Sequence, residues 1–225
     1  MRDNLTPMDS RTGTRASRLA HSTLKATGGQ DLVNSSKIAI ASRGASVMSE
    51  FHFCPRCAAP LGERKVQGEV RSACSANCGF VHYDNPTPVV AAVVEHNGMV
   101  VLAHNRAWPQ TFRSFYGLIT GFLERGESAE QCALREVKEE LDLVGTGATL
   151  IGVYPFEQMN QVIIAYHVPA NGTVALNHEL DDFRHVRPGE CKAWAGGTGL
   201  ALRDWLRSKG FEPPMLELGE KTASE

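Results

Sequence analysis

The stretch Gly121–Leu143 reads GFLERGESAEQCALREVKEELDL and decides how this chain is interpreted. A helix places residues three and four positions apart on one face. Glu136, Glu139 and Glu140 therefore form one stripe of carboxylates, next to a stripe of aliphatic side chains that can pack on a core. Like charges at this spacing repel by roughly 0.2–0.5 kcal/mol a pair. The cluster therefore indicates a bound hard cation, whose usual ligands are carboxylate oxygens.

Local signals define where this helix begins. Ser128 followed by Gln131 has the form of a capping box, which predicts a helix from about residue 129. Gly121 and Gly126 suit a tight loop before it. The run Ser114–Thr120 is interpreted as a strand that leads into this loop. Strand, loop and helix together predict a rigid support for the carboxylates.

The segment resembles the Nudix box, G-x5-E-x7-R-E-U-x-E-E-x-G-U, in which U is a bulky aliphatic residue. The matching residues are Gly121, Glu127, Arg135, Glu136, Val137, Glu139, Glu140 and Leu143. Asp142 stands where the pattern has glycine. That glycine ends the helix in a left-handed conformation, which Asp tolerates better than most residues with a side chain.

The resemblance implies an α/β/α sandwich with a mixed sheet over about residues 86–210, and hydrolysis of a diphosphate. Mg²⁺ or Mn²⁺ would neutralise charge on the diphosphate and activate water. The expected metal ligands are the glutamates of the box, Glu127, Glu136, Glu139 and Glu140. Arg135 is expected to orient them through salt bridges. We also count Arg135 and the helical glutamates among the catalytic residues.

Nudix proteins often use one more acid outside the box, as a base or as a further metal ligand. The matching segment here is His178–Asp182, and Glu179 is the matching position. The alternative is that these acids form an ordinary surface turn. Glu179 is therefore a candidate for both a catalytic and a metal-binding role.

Four cysteines predict a second metal site. Cys54 and Cys57 form one C-x2-C pair, and Cys74 and Cys78 form a C-x3-C pair sixteen residues later. Four thiolates from two knuckles suit a tetrahedral zinc ribbon over residues 51–84. This zinc is interpreted as structural, because four cysteines complete its coordination. Disulfides are the alternative, and are less favoured in a chain without an apparent secretory signal.

Residues 1–50 differ from the rest of the chain in composition. They are rich in Ser, Thr, Gly and Arg, and the first aromatic residue is Phe51. Such a segment buries too little apolar surface to offset its ordering entropy. Three interpretations stay open: a disordered tail, sequence upstream of a true start at Met48, or a transit peptide. Residues 211–225 are interpreted as a C-terminal tail.

Composition limits the class of protein. The chain has 225 residues, a net charge of −2 and a pI near 6.5, so no overall basic surface argues for nucleic acid. No apolar run approaches the roughly 20 residues of a membrane-spanning helix. We therefore expect a cytoplasmic enzyme with a small-molecule nucleotide diphosphate substrate and no membrane partner. A homodimer is left open.

Further elements follow from periodicity and turn chemistry. Asn97-Gly98 between two β-branched runs is a strong hairpin signal. Apolar residues at helical spacing near the C-terminus predict an amphipathic helix. The predicted strands are Val89–Glu95, Met99–Ala103, Ala148–Tyr154, Gln161–His167 and Cys191–Trp194, and the predicted helix is Thr198–Lys209.

The ribbon followed by a Nudix box is similar to the NADH pyrophosphatase branch of the family. That branch carries S-Q-P-W-P-F-P after the box, whereas this chain keeps only Pro155-Phe156. NADH specificity therefore does not carry over, and the expected substrates are ADP-ribose, FAD or NAD(H)-type dinucleotides. Tyr154 and Phe156 are candidates for stacking on a base. The alternatives are a nucleotide sensor without catalysis and a hydrolase of capped RNA 5′ ends.

Overall fold

The computed structural model describes residues 51–216. The three interpretations of residues 1–50, and most of the predicted C-terminal tail, lie outside these residues.

The first described segment is a small antiparallel sheet that contains the predicted ribbon. Its strands are β1 (Leu61–Val66), β2 (Glu69–Cys74) and β3 (Val81–His82). Gln67 and Gly68 connect β1 to β2, and both have positive φ, at 52° and 95°. A two-residue turn of this kind matches the twist of a hairpin. The hairpin pairs Leu61 with Cys74, which brings the second cysteine pair back towards the first.

The remainder forms a seven-stranded sheet with a helix on each face, and a small two-stranded sheet. The elements are β4 (Thr87–His96), β5 (Met99–Asn105), β6 (Ile119–Phe122), α1 (Ala129–Leu141), β7 (Val144–Gly145), β8 (Thr149–Phe156), β9 (Gln161–Asn171), β10 (Leu180–Val186), β11 (Ala193–Trp194), α2 (Thr198–Ser208) and β12 (Met215–Leu216). Strand β4 lies parallel to β9 and antiparallel to β5 and β6. The sheet is therefore mixed, as predicted.

Two hydrophobic cores show why β4 is central. Its side chains alternate between the faces, so Val89 and Val93 pack on the side of α2, whereas Val90 and Val94 pack on the side of α1. A strand buried on both faces has a nearly continuous apolar sequence, and β4 reads TPVVAAVVEH. The α/β/α sandwich expected from the resemblance is confirmed.

Most predicted elements form close to their expected bounds, and two segments differ. The predicted strand Ser114–Thr120 is wrong over most of its length, because the strand is Ile119–Phe122. The aromatic residues before it fold inwards instead, and Phe115 packs on Trp108 with ring centroids 5.1 Å apart. The acidic segment His178–Asp182, for which a surface turn is the alternative interpretation, runs into β10, which pairs with β5.

Within residues 51–216, no helix is both long and apolar enough to cross a membrane.

Candidate functional site

The loop and the start of α1 fold as the capping box predicts. Ser128 accepts a hydrogen bond from the backbone N–H of Gln131, and the Gln131 side chain accepts one from the Ser128 N–H. The helix begins at Ala129 and ends at Leu141. Asp142 adopts the left-handed conformation, with φ 56°, in the place of the family glycine. The helix end is therefore preserved without glycine.

Arg135 is the centre of an ion-pair network within the box. Its guanidinium donates to both oxygens of Glu127, at 2.7 and 3.0 Å, in a bidentate pair. It also donates to Glu136 at 2.8 Å and to Glu139 at 3.1 Å. A further bond, at 3.2 Å, reaches the carbonyl oxygen of Phe122. Arg135 thus joins the loop, the helix and the end of β6.

The electrostatics of this network favour the charged forms of its members. The hydrogen bonds that Arg135 donates to Glu127 lower the pKa of Glu127 to about 2 and raise the pKa of Arg135. Cys132 lies beside them, fully buried, and its burial raises the pKa of the thiol to about 12. Cys132 is therefore a neutral thiol.

The three helical glutamates differ in burial. Glu136 and Glu140 are 3% and 4% exposed, whereas the Glu139 side chain is 55% exposed. Glu136 lies directly against Gly121, where an added Cβ would lie 1.8 Å from its Oε1 atom. Gly121 is required here because any side chain would occupy the position of the carboxylate. Two buried carboxylates on one helix need compensating positive charge.

The donor chemistry of this cluster fits Mg²⁺ or Mn²⁺, which prefer carboxylate oxygens. Among residues 51–216, the glutamates do not form a group of three or more ligand atoms close enough together to hold a metal ion. Arg135 bonds to three of the four expected ligands and lies between them. The metal roles of these glutamates therefore stay a prediction.

Backbone and side-chain hydrogen bonds attach the segment before β10 to the end of α1. The N–H of Asn177 donates to the carbonyl of Glu140 at 3.2 Å, and the Asn177 side chain accepts from the N–H of Glu179 at 2.9 Å. Glu179 is thus brought close to the C-terminal part of the helix. Sequence reasoning missed Asn177, although an Asn two residues before the residue it caps is typical of an Asx turn.

The two candidate stacking residues lie on the α2 side of the sheet. Tyr154 donates a hydrogen bond to Asp204 of α2 at 3.0 Å, and burial together with Asp204 raises the pKa of Tyr154 to about 12. The ring of Phe156 lies against Gly197, at the start of α2. Both rings pack partly buried on the core between the sheet and α2. Their substrate roles stay a prediction.

The four predicted zinc ligands form a compact cluster. Their Sγ atoms all lie within 4.8 Å of one another, and Cys54–Cys78 and Cys57–Cys74 are each separated by 3.4 Å. Tetrahedral zinc, with bonds of about 2.3 Å, requires Sγ separations of about 3.8 Å. A disulfide bond is only about 2.05 Å long, and all six cysteines are free thiols. The geometry thus fits zinc and not disulfides.

Comparison with known proteins identifies the class. The sequence profile of the NUDIX domain matches residues 85–204, more than half of the chain. The chain belongs to the Nudix family. A Nudix hydrolase structure from Nitrosomonas europaea has the same fold, with a TM-score of 0.58 and 22% identity, over 74% of this chain and 99% of that one.

Among curated proteins, the chain is similar to enzymes named NAD-capped RNA hydrolase NudC. Identity is 33% over 139 residues with that of Stutzerimonas stutzeri, covering 61% of this chain and 48% of the relative. It is 29% over 134 residues with that of Vibrio atlanticus, covering 59% and 48%. For Pseudomonas putida it is 27% over 173 residues, covering 74% and 60%. The chain therefore spans about half the length of these relatives.

Proposed function

We propose that this protein hydrolyses the diphosphate bond of a nucleoside diphosphate joined to a second moiety, such as ADP-ribose, FAD or an NAD(H)-type dinucleotide. The observation that carries the proposal is the pair of buried carboxylates, Glu136 and Glu140, on a helix whose Arg135 holds a third, Glu127. Burial of acids at this density is costly. Binding of a divalent cation and a diphosphate gives the arrangement a function.

The residues of the box have different proposed roles. Mg²⁺ or Mn²⁺, held by Glu127, Glu136, Glu139 and Glu140, would neutralise diphosphate charge and make water a better nucleophile. Arg135 fixes the carboxylates in one geometry, since its planar guanidinium makes several directed bonds at once. Glu179, attached to the end of α1 through Asn177, is the proposed proton acceptor or additional ligand.

We infer a second, structural metal in a separate domain over residues 51–84, ahead of a hydrolase domain over residues 86–210. Four cysteines complete the coordination of zinc and leave no open position for chemistry. The ribbon between them has few buried apolar side chains: Cys54, Ala73 and Cys74. Zinc binding therefore supplies most of the folding energy of this domain.

Hydrolysis of capped RNA is the second candidate function. It rests on the similarity to enzymes named NAD-capped RNA hydrolase and on the surface of the ribbon. Phe53 is 62% exposed, and Tyr83 is exposed with Arg71 stacked over its ring at 4.9 Å. Exposed aromatic rings next to cations can stack on the bases of single-stranded nucleic acid. The overall charge of −2 argues against a large RNA interface.

A hydrolysis screen tests both candidates. Purified full-length protein with Mg²⁺ or Mn²⁺ is incubated with ADP-ribose, FAD, NAD, NADH, nucleoside triphosphates and RNA carrying a 5′ NAD cap. The expected result is metal-dependent cleavage between the two phosphorus atoms of a small dinucleotide or of ADP-ribose. Faster turnover of capped RNA than of NAD would favour the second candidate. No cleavage of any substrate with either metal would refute both.

A further inference from the structure

Gln161 has a buried side-chain oxygen that the fold itself does not use. The residue is 7% exposed, and its Oε1 atom has no hydrogen-bond partner among residues 51–216. Buried polar atoms in folded proteins are nearly always paired, so an exception calls for an explanation. An amide oxygen kept in such a position can accept a hydrogen bond from a ligand.

The position of Gln161 in the sheet shows which surface it belongs to. It is the first residue of β9, and its neighbours in the register are Thr87 of β4 and Phe156 of β8. Side chains of a strand alternate between faces, so Gln161 shares the α2 face with Ile163, which packs in the core under α2. Gln161 therefore lies at the end of that face, where Phe156 rests on Gly197.

This end of the sheet adjoins the Nudix box. Strands β6, β4, β9 and β8 lie side by side, with Phe122 at the end of β6 and Phe156 at the end of β8. Three strand spacings of about 4.8 Å, together with an offset of two residues along the strands, separate the two phenylalanines by roughly 16 Å, and both are partly buried on the α2 face. Phe122 directly follows Gly121, which lies against Glu136. Glu136 lies on the α1 face and Gln161 on the α2 face, but the box loop and Gln161 share one end of the sheet, so the rings of a substrate whose diphosphate lies at the box would reach Gln161 across this end.

We infer that Gln161 determines substrate specificity, and that its side-chain oxygen accepts a hydrogen bond from an NH2 group on a planar ring of the substrate. The inference rests on the proposed function and deepens it. The ring packs beside Phe156, the neighbour of Gln161 on β8, and its entry requires the side chains around Gln161 to move, because Oε1 is buried in the structure. Two parts of a dinucleotide carry such a group: the amino group of adenine and the carboxamide of nicotinamide.

Paired substrates distinguish these two sources. ADP-ribose is compared with inosine diphosphate ribose, in which the adenine amino group is replaced by oxygen. NAD is compared with nicotinic acid adenine dinucleotide, in which the carboxamide is a carboxylate. The wild-type enzyme is expected to prefer the NH2-bearing member of one pair by about tenfold in kcat/KM, the scale of one net hydrogen bond. The pair that shows the preference identifies the ring.

The decisive variant is Gln161→Met, which keeps the length of the side chain and removes the amide. In this variant, the kcat/KM ratio within the pair that the wild type discriminates should fall to less than twofold. The fall should come only from slower turnover of the NH2-bearing substrate. Thermal stability should not fall, because an unpaired buried oxygen is removed. Gln158→Met, at an exposed position in the preceding turn, is the matched control and should retain the wild-type preference.

Two results would overturn the inference: equal use of both members of each pair by the wild type, or an unchanged preference in Gln161→Met. If no substrate is hydrolysed at all, the proposed function fails, and the same pairs are then compared by calorimetric binding. Equal affinity of wild type and Gln161→Met for every ligand that binds, or no binding of any of them, would overturn the inference as well. Loss of the preference in affinity would support it independently of catalysis.

Discussion

Arg135 and Glu127 meet in two parallel hydrogen bonds, Nε to Oε2 at 3.0 Å and Nη2 to Oε1 at 2.7 Å. The pair ties the middle of α1 to the loop before it. Both oxygens of Glu127 are thereby oriented. The backbone N–H of Glu124 donates a third hydrogen bond, to Oε1, at 2.7 Å. The loop is therefore held by side chains as much as by its backbone.

Arg135→Lys should separate charge from geometry. An ammonium group keeps the positive charge but cannot make the bidentate pair while also reaching Glu136 and Glu139. We expect kcat to fall by about tenfold to a hundredfold, the scale of misplaced catalytic groups. Steady-state kinetics at saturating Mg²⁺ measure the effect. Arg125→Lys, in the same loop and exposed, is the control, and equal kcat in both variants would contradict an orienting role.

Glu139→Gln and Glu140→Gln test the metal assignment. Each should lower kcat by about two orders of magnitude or more, the scale of losing one strong electrostatic stabiliser. The fold should survive, because the lost charge repels its neighbours on the helix. Glu130→Gln, exposed in the first turn of the same helix, should keep full activity. Wild-type kcat in both single variants would contradict the assignment of these glutamates as metal ligands.

Zinc content provides the next prediction. Elemental analysis should find about one zinc per chain, because the four thiols lie at ligand spacing. Cys54→Ser should increase hydrogen exchange over residues 51–84 while the hydrolase retains part of its activity. Cys191→Ser is the control. Cys191 is buried and lies outside the ribbon, so the zinc content should not change. Protein without zinc, carrying a Cys54–Cys57 disulfide after reducing purification, would refute the ribbon.

The His96–His185 pair predicts acid sensitivity. The rings are joined by a hydrogen bond of 2.8 Å, and burial, followed by the charge of His96, lowers the pKa of His185 below its usual 6.5. A lowered histidine pKa stabilises the fold above about pH 6.5, and this contribution is lost as the pH falls through the folded value. Urea unfolding between pH 7.5 and 5 should show the loss.

The control for this prediction is a second histidine. His185→Gln should flatten the pH dependence of the unfolding free energy, whereas His178→Gln, at an exposed position, should leave it steep. A wild-type unfolding free energy that stays constant from pH 7.5 to 5 would show that the pair has no such effect.

The N-terminal segment supplies the last prediction. Residues 1–47 contain no aromatic residue and no residue of the box. A chain that begins at Met48 should therefore fold, and its kcat/KM should match the full-length protein within about twofold, or about 0.4 kcal/mol. Limited proteolysis of the full chain should cut first before Phe51. Insoluble protein, or activity at least tenfold lower, would mean that the segment folds onto the enzyme.

Elements with local signals could be predicted from the sequence. The capping box of Ser128 and Gln131 set the start of α1, and Asn97-Gly98 set the hairpin between β4 and β5. Both signals depend on a few adjacent residues, whose preferred conformations need no distant partner. The four cysteines of the ribbon could likewise be predicted, since their spacing alone indicates two metal-binding knuckles.

Elements that depend on distant partners could not be predicted from the sequence. Strand β10 begins LDD, and Asp disfavours strands, yet the segment pairs with β5 across a bulge. The bidentate partner of Arg135 lies eight residues earlier, and only the folded loop brings it close. The burial of Gln161 likewise follows from β4 and β8 on either side of it, and no local pattern marks that residue.

The contact between Gly121 and Glu136 has a consequence for how activity is lost in evolution. A methyl group at position 121 would collide with the Glu136 side chain, whose three nearest atoms would lie 1.8–2.3 Å from the new carbon. Glu136 would have to turn away, which would break its hydrogen bond with Arg135 and take its carboxylate out of the network of the box. On the proposed function, alanine at position 121 is therefore expected to lower the hydrolytic activity. The residue at position 121 can thus indicate, from the sequence of a related protein, whether a protein with this fold has lost the proposed hydrolysis.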